Sequence, residues 1–317
     1  MDMQLGARRV AAILHNVWDD DGEGRVARCR IAVSEIRSTH HLDGIRMARI
    51  ADVRSADGTT LALYRWEPAG ASRGDVVLIH GFAEHMGRYE EVGGWFATAG
   101  YRVTGVELRG HGESAGKRGF VRAWSEYLED VDAVVAATGA REVVVVAHSM
   151  GGLVALDWLR LNAGRARAAV LSAPLLEASV KAPAWKIMAA KLLSRALPGL
   201  VMANEIPPEH VCRTPEIVQS YIADPRIFHG VTPRWYTEML AAQQRVFASA
   251  GGYVTPARFV WGTDDKIVSP TAIERFAGAY GGRGSHRAWS GLYHELLYEP
   301  EKVAVRDDLF AWLETVT

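Results

Sequence analysis

Glu142-Val143-Val144-Val145-Val146-Ala147-His148-Ser149-Met150-Gly151-Gly152 is the stretch that decides how this chain is read. A β-rich apolar run breaks at a serine, small residues surround the break, and a helical pattern follows from Met150 to Leu161. That order of events reads as strand, elbow, helix. The pattern is G-x-S-x-G with alanine in the first place. A serine lifted clear of a sheet needs a sharp turn, and a sharp turn crowds the backbone. Ala147 and Gly151, two residues either side of Ser149, relieve the crowding, and Gly152 lets the next helix pack closely. A hydroxyl exposed at such a place can be deprotonated by a nearby histidine.

Outward from the elbow, strand-like and helix-like segments alternate. Asp75 to Ile79, Arg102 to Val106, Glu142 to Val146, Ala168 to Ser172, Arg258 to Trp261 and Ser285 to Trp289 read as strands. Gly119 to Thr138 and Met150 to Leu161 read as helices. Before them, Ala48 to Val53 and Leu61 to Trp66 flank the turn residues Ala56-Asp57-Gly58, the chemistry of a β-hairpin. An antiparallel hairpin followed by alternation implies an α/β fold: eight strands, mostly parallel, with helices on both faces.

Two segments depart from that rhythm. Residues 1–46 mix arginines with the Asp19-Asp20-Asp21 cluster and show no regular apolar period. They read as an extension: a disordered tail, an edge decoration, or the product of an upstream start codon. A chain starting at Met47 is expected to fold and keep activity. Residues 175–252 contain no convincing parallel strand and read as a helical cap inserted between core segments 47–174 and 253–317. Within it, Trp185, Met188, Ala189, Leu192, Leu193 and Ala196 follow helical spacing. Trp185, Met188 and Leu192 are the expected substrate contacts, because open α/β sheets bind ligands beyond their strand ends.

Composition sets outer limits. The 317 residues are 49% hydrophobic, which suits a globular protein with a sizeable core. A net charge of −1 argues against a nucleic-acid surface. Cys29 and Cys212 are far apart and read as free thiols in a reducing compartment. No apolar run approaches the roughly 18 residues needed to cross a bilayer, and the N-terminus lacks the apolar region of a signal peptide. A cytoplasmic protein is expected. No spacing of His, Asp, Glu or Cys suggests a metal site, and no cofactor is called for.

A nucleophilic serine requires a base, a group that orients the base, and donors for the oxyanion. His294, in Gly291-Leu292-Tyr293-His294-Glu295, follows the last strand and is the expected base. The orienting acid falls in Gly262-Thr263-Asp264-Asp265-Lys266, where two aspartates compete. Asp265 is preferred because Gly262-x-x-Asp265-x-Ile267-Val268 resembles the usual acid-turn pattern; Asp264 reads as a turn cap or surface charge. The backbone N–H of Met150 and that of Phe82, in His80-Gly81-Phe82-Ala83-Glu84-His85, are the expected oxyanion donors. His80 and His111 sit in Gly-flanked turns and read as loop braces. His85 reads either as a substrate contact or as a helix cap.

Together these runs resemble the monoacylglycerol lipase and lysophospholipase branch of the α/β-hydrolases, the serine aminopeptidase-type family. The matching pieces are His80 to Tyr89, Glu107-Leu108-Arg109-Gly110-His111-Gly112-Glu113-Ser114, Ala147 to Gly152, Gly262 to Asp265, and Gly291 to Glu295. The resemblance covers Met47 to the C-terminus. It implies Ser149, Asp265 and His294 as triad, Phe82 and Met150 as oxyanion donors, and hydrolysis of carboxylic esters. The expected partner is a small, lipid-like ester; the basic residues beside the cap's apolar face read first as a solvated polar face, with transient membrane contact as the alternative, and the sequence leaves the oligomeric state open. Two departures stand out. Phe82-Ala83 replaces smaller residues after His-Gly, and Glu107 stands where aspartate is usual.

Overall fold

The computed structural model describes residues 45–317 apart from Glu205. All but the last two residues of the expected N-terminal extension, Cys29 included, lie outside the described residues.

The main sheet contains β1 (Ala48–Arg49), β2 (Leu63–Trp66), β3 (Asp75–Ile79), β4 (Arg102–Val106), β5 (Val143–His148), β6 (Ala166–Ser172), β7 (Ala257–Gly262) and β8 (Gly284–Trp289). Across the sheet the order is β1-β2-β4-β3-β5-β6-β7-β8. The β1/β2 and β2/β4 pairings are antiparallel and all later ones are parallel. This is the eight-stranded α/β-hydrolase architecture expected from the sequence. In the hairpin, Gly58 adopts φ 85° and Ser55 N–H donates to Thr59 C=O at 2.9 Å, so the turn residues act as their chemistry requires.

The valine runs are explained by burial on both faces. Val77, Ile79, Val143 and Val145 join a core beneath α2 (Ser125–Thr138) and α3 (Met150–Leu161). The alternate residues Val76, Leu78, Val144 and Val146 join a second core, with α1 (Glu90–Thr98) and α8 (Lys302–Leu313). Fully burying such a side chain contributes roughly 1.5–3 kcal/mol, so the two cores hold the strand ends rigidly. The helix expected from Gly119 begins only at Ser125. Gly119 has φ 60°, and a Cβ there would lie 2.6 Å from the Gly230 carbonyl oxygen.

Between Leu175 and Gly252 the described residues add no strand to the main sheet. They form α4 (Ala184–Ala196), α5 (Pro215–Ala223) and α6 (Pro233–Ala248), with a short antiparallel ladder between Met202–Ala203 and Gly230–Val231. Pro215 and Pro233 open their helices, where the missing N–H costs nothing. The remaining helix of the core, α7 (Pro270–Ala279), follows β7.

The orientation of α4 corrects the expectation drawn from its spacing. Trp185, Met188 and Leu192 lie on its outer face, exposed at 68%, 70% and 69%. The inward face carries the buried Ala190 and Ser194. Ser194 Oγ pairs with Thr237 Oγ1 at 2.8 Å, and the Ser194 carbonyl accepts from Arg234 at 2.7 Å, tying α4 to α6. Small residues allow that close approach, so the large ones are left outside.

Candidate active site

Ser149 stands between β5 and α3 with φ 54° and ψ −117°, left-handed backbone on a residue that has a Cβ. Such strain costs about 1–3 kcal/mol and persists only where neighbours over-determine it. Here Ser149 N–H donates to Ser172 C=O at 2.9 Å, while the Ser149 carbonyl accepts from Leu153 at 3.2 Å and Leu175 at 2.9 Å. Gly151 is required at its position, since a Cβ would lie 2.7 Å from the Ile79 carbonyl oxygen and overlap that of His80. A Cβ on Gly152 would come within 2.8 Å of Pro174.

The loop after β7 carries Asp265, and the loop after β8 carries His294. Gly262 lets these loops touch, because a Cβ there would run into the Leu292 carbonyl. His294 Nδ1 lies 2.7 Å from Asp265 Oδ2, and His294 Nε2 lies 2.9 Å from Ser149 Oγ. The other carboxylate oxygen, Asp265 Oδ1, accepts from Ile267 N–H at 2.8 Å and Val268 N–H at 2.9 Å. Asp264, the rival acid, is exposed and accepts from Thr263 Oγ1 at 2.8 Å. Burial works against a charged His294, yet the charge and hydrogen bond of Asp265 outweigh it and raise the imidazole pKa above 6.5. The arrangement can take a proton from the serine hydroxyl and stabilise the imidazolium that results.

The loop after β3 presses against this elbow. A Cβ on Gly81 would come 3.2 Å from Ser149 Cβ and 2.7 Å from Glu84 Oε1. Phe82 follows, its ring 4.2 Å from that of Trp235 on α6 and 5.3 Å from that of Phe228. Met150 opens α3 with its side chain fully buried. Met150 thus follows Ser149 directly, and Phe82 follows the Gly81 that packs against it. His148 Nδ1 lies 3.3 Å from Ser172 Oγ, its ring is 4.8 Å from that of His294, and burial pushes its pKa down to about 3. His85 caps the short helix that starts at Met86, accepting from Gly87 N–H at 3.1 Å, and its Nε2 meets Asp224, just after α5, at 2.8 Å.

One cluster escaped the sequence reading. Partly buried Arg88 bridges Glu84 at 2.8 Å and both oxygens of Glu295 at 2.7 and 2.8 Å, with its guanidinium over the rings of Tyr221 and Tyr298. Tyr89 donates to Glu84 at 2.6 Å. Burial alone would raise the Glu84 carboxyl pKa; the charge of Arg88 chiefly holds it well below the usual range. The cluster joins the loop of Phe82 to the loop of His294. The i, i+4 spacing of Glu84 and Arg88 was the only local sign of it.

Two parts of the segment 175–252 are tied to the loops that carry Asp265 and His294. Ser179 donates through its N–H to Ile267 C=O at 3.0 Å and through Oγ to Asp265 C=O at 3.1 Å. Glu295 N–H donates to Val211 C=O at 2.8 Å, and buried Glu299 accepts from Tyr293 N–H at 3.0 Å and Arg213 Nε at 2.8 Å. Among the described residues no cluster of His, Cys, Asp and Glu could hold a metal ion. No helix among them is long and apolar enough to cross a membrane.

Comparison with known proteins gives a consistent result. Residues 70–301 match the family described as serine aminopeptidase, S33. The monoacylglycerol lipase of Mycolicibacterium smegmatis is 33% identical over 89% of this chain and 98% of its own length. Phospholipase YtpA of Bacillus subtilis is 31% identical over 74% of this chain and 91% of its own. The crystal structure of the Paleococcus ferrophilus monoacylglycerol lipase superposes with a TM-score of 0.75 at 28% identity, covering 80% of this chain and 99% of that one.

Proposed function

Because the chain belongs to the serine aminopeptidase S33 family of α/β-hydrolases, we propose that it is a serine hydrolase cleaving monoacyl esters, of the monoacylglycerol or lysophospholipid kind, through an acyl-enzyme. Ser149 Oγ attacks the ester carbonyl while His294 Nε2 takes its proton. The N–H groups of Met150 and Phe82 hold the oxyanion. Collapse expels the alcohol, which leaves with the proton from Nε2. Water then enters, gives a proton to His294, attacks the acyl carbonyl, and the acid departs as Ser149 recovers its hydrogen. Asp265 fixes the imidazole tautomer throughout. The observation that carries this reading is the unbroken Ser149–His294–Asp265 chain at 2.9 and 2.7 Å, at an elbow where Ser149 adopts φ 54°.

The same centre would serve an amide, thioester or carbon–carbon bond, but the relatives are named for lipid esters. A chain-length panel of p-nitrophenyl esters and monoacylglycerols, run beside Ser149→Ala, tests the proposal. Turnover of these esters that disappears in the variant supports it. Turnover of amides or thioesters alone shifts the bond class, and no turnover of any acyl substrate leaves a binding protein on a hydrolase fold.

A second reading concerns the segment 175–252, which we treat as a cap over the strand ends. The outer face of α4 exposes Trp185, Met188 and Leu192 beside Lys191 and Arg195. An apolar stripe flanked by basic residues suits the surface of an anionic bilayer from which a monoacyl lipid enters. Flotation with phosphatidylglycerol vesicles should bring the protein up, and replacing all three apolar residues by serine should abolish it. A cytoplasmic site of action fits the free Cys212 thiol.

A further inference from the structure

The loop after β3 contains a hydrogen-bond chain that the steps above do not use. Leu108 N–H reaches His80 Nε2 at 3.1 Å. A backbone N–H can only donate, so Nε2 must accept. His80 is fully buried, and burial pushes its pKa below the usual imidazole range, so the ring is neutral and carries one proton. That proton is therefore on Nδ1, which donates to the Gly81 carbonyl at 2.7 Å.

The Gly81 carbonyl and the Phe82 N–H belong to one planar peptide, and no cis peptide is present among the described residues. In a trans unit the two groups point in opposite directions, so a ring that holds the carbonyl also sets the heading of the N–H. The preceding peptide is held as well: Gly81 N–H donates to Glu84 Oε1 at 2.5 Å. The turn that follows is strained, with Ala83 at φ 67°. Both planes around Gly81 are thus fixed by buried side chains. Hydrogen bonds in series also polarise one another, by roughly 10–30% per bond, so donation into the carbonyl makes the far N–H a better donor.

We infer that His80 is a positioning residue for the oxyanion hole: the relay from Leu108 through its imidazole to the Gly81–Phe82 peptide aims and strengthens the Phe82 N–H. The inference rests on the ester-hydrolase reading and adds to it. It gives His80 a task distinct from bracing the loop, because only the Nδ1–H bond bears on the oxyanion.

Two substitutions separate the tasks. Glutamine at position 80 places its amide where Nε2 stood, so His80→Gln keeps a partner for Leu108 and loses the donor to Gly81. Asparagine places its amide where Nδ1 stood, so His80→Asn keeps that donor and loses Leu108. The readouts are kcat and KM on p-nitrophenyl butyrate, with inhibition by a trifluoromethyl ketone and the methyl ketone of the same chain. The trifluoromethyl ketone forms an oxyanion on the serine and the methyl ketone does not.

For His80→Gln the expected fall in kcat is about 10- to 100-fold with KM within about threefold, short of the roughly 100- to 1000-fold for losing a donor outright. Affinity for the trifluoromethyl ketone falls by the same factor while that for the methyl ketone holds. His80→Asn recovers most of both losses. If His80→Gln does not fold, His80→Asn alone decides: retained kcat and ketone discrimination support the relay, and their loss overturns it. Equal losses in the two variants, or unchanged discrimination in His80→Gln, also overturn it. A parent enzyme that neither cleaves the ester nor prefers the trifluoromethyl ketone overturns the hydrolase reading itself.

Discussion

Replacing Asp265 by asparagine changes one atom in the proposed triad, and the surrounding geometry dictates the result. Asp265 Oδ1 accepts from two backbone N–H groups, of Ile267 at 2.8 Å and Val268 at 2.9 Å. The asparagine oxygen must stay on those donors, because an amide nitrogen there would face two N–H groups. Its NH2 therefore takes the place of Oδ2, 2.7 Å from His294 Nδ1. A donor facing Nδ1 demands a lone pair there, which moves the imidazole proton to Nε2. Nε2 then confronts the Ser149 hydroxyl with a proton of its own and cannot act as base. The charge that stabilises the imidazolium is lost too. The expected loss in kcat is about 10⁴-fold, or roughly 5 kcal/mol of transition-state stabilisation. Initial rates on p-nitrophenyl butyrate, with melting temperatures to establish folding, measure it. Asp264→Asn is the control and should stay within about twofold, as exposed substitutions away from special features rarely matter. A loss below tenfold for Asp265→Asn, or equal losses for both, refutes the reasoning.

Three further outcomes are expected. The base works in its neutral form and its pKa is raised, so kcat/KM should fall as pH falls, with a midpoint above 6.5; a midpoint at or below that value contradicts the Asp265 contact. Arg88→Met leaves Glu84 and Glu295 buried without their counter-charge, and urea unfolding should show a loss of about 3–5 kcal/mol; a loss under about 1 kcal/mol would mean water reaches the cluster. Gly151→Ala drives a Cβ against two backbone carbonyls, so unfolding free energy should drop by about 1–3 kcal/mol and kcat with it. Parental stability and rate in that variant would show that the elbow tolerates a wider turn.

Elements governed by local chemistry were legible in the sequence. β3 and β4 have the bounds their apolar runs suggest, and α3 starts at Met150 because the serine before it cannot be helical at φ 54°. The hairpin was announced by its Asp57-Gly58 turn. What escaped was decided at a distance. Helical spacing shows that α4 has an apolar stripe, but not which side the rest of the protein takes. Ala190 and Ser194 won the inner side because they let α6 come close. Gly119, where a helix looked set to begin, instead takes φ 60° against the Gly230 carbonyl, over a hundred residues away. Arg88 and Glu295 are separated by 207 positions, and nothing near either residue signals the other. His80 could be recognised as a brace; its tautomer could not, because Leu108 sets it.

The most direct measurement is the mass of the enzyme trapped during turnover. After rapid acid quench of a reaction with p-nitrophenyl butyrate, the peptide containing Ser149 should carry one butyryl group, and Ser149→Ala should carry none. Continued hydrolysis without an adduct, or an adduct elsewhere that persists in Ser149→Ala, would contradict an acyl-enzyme on this serine.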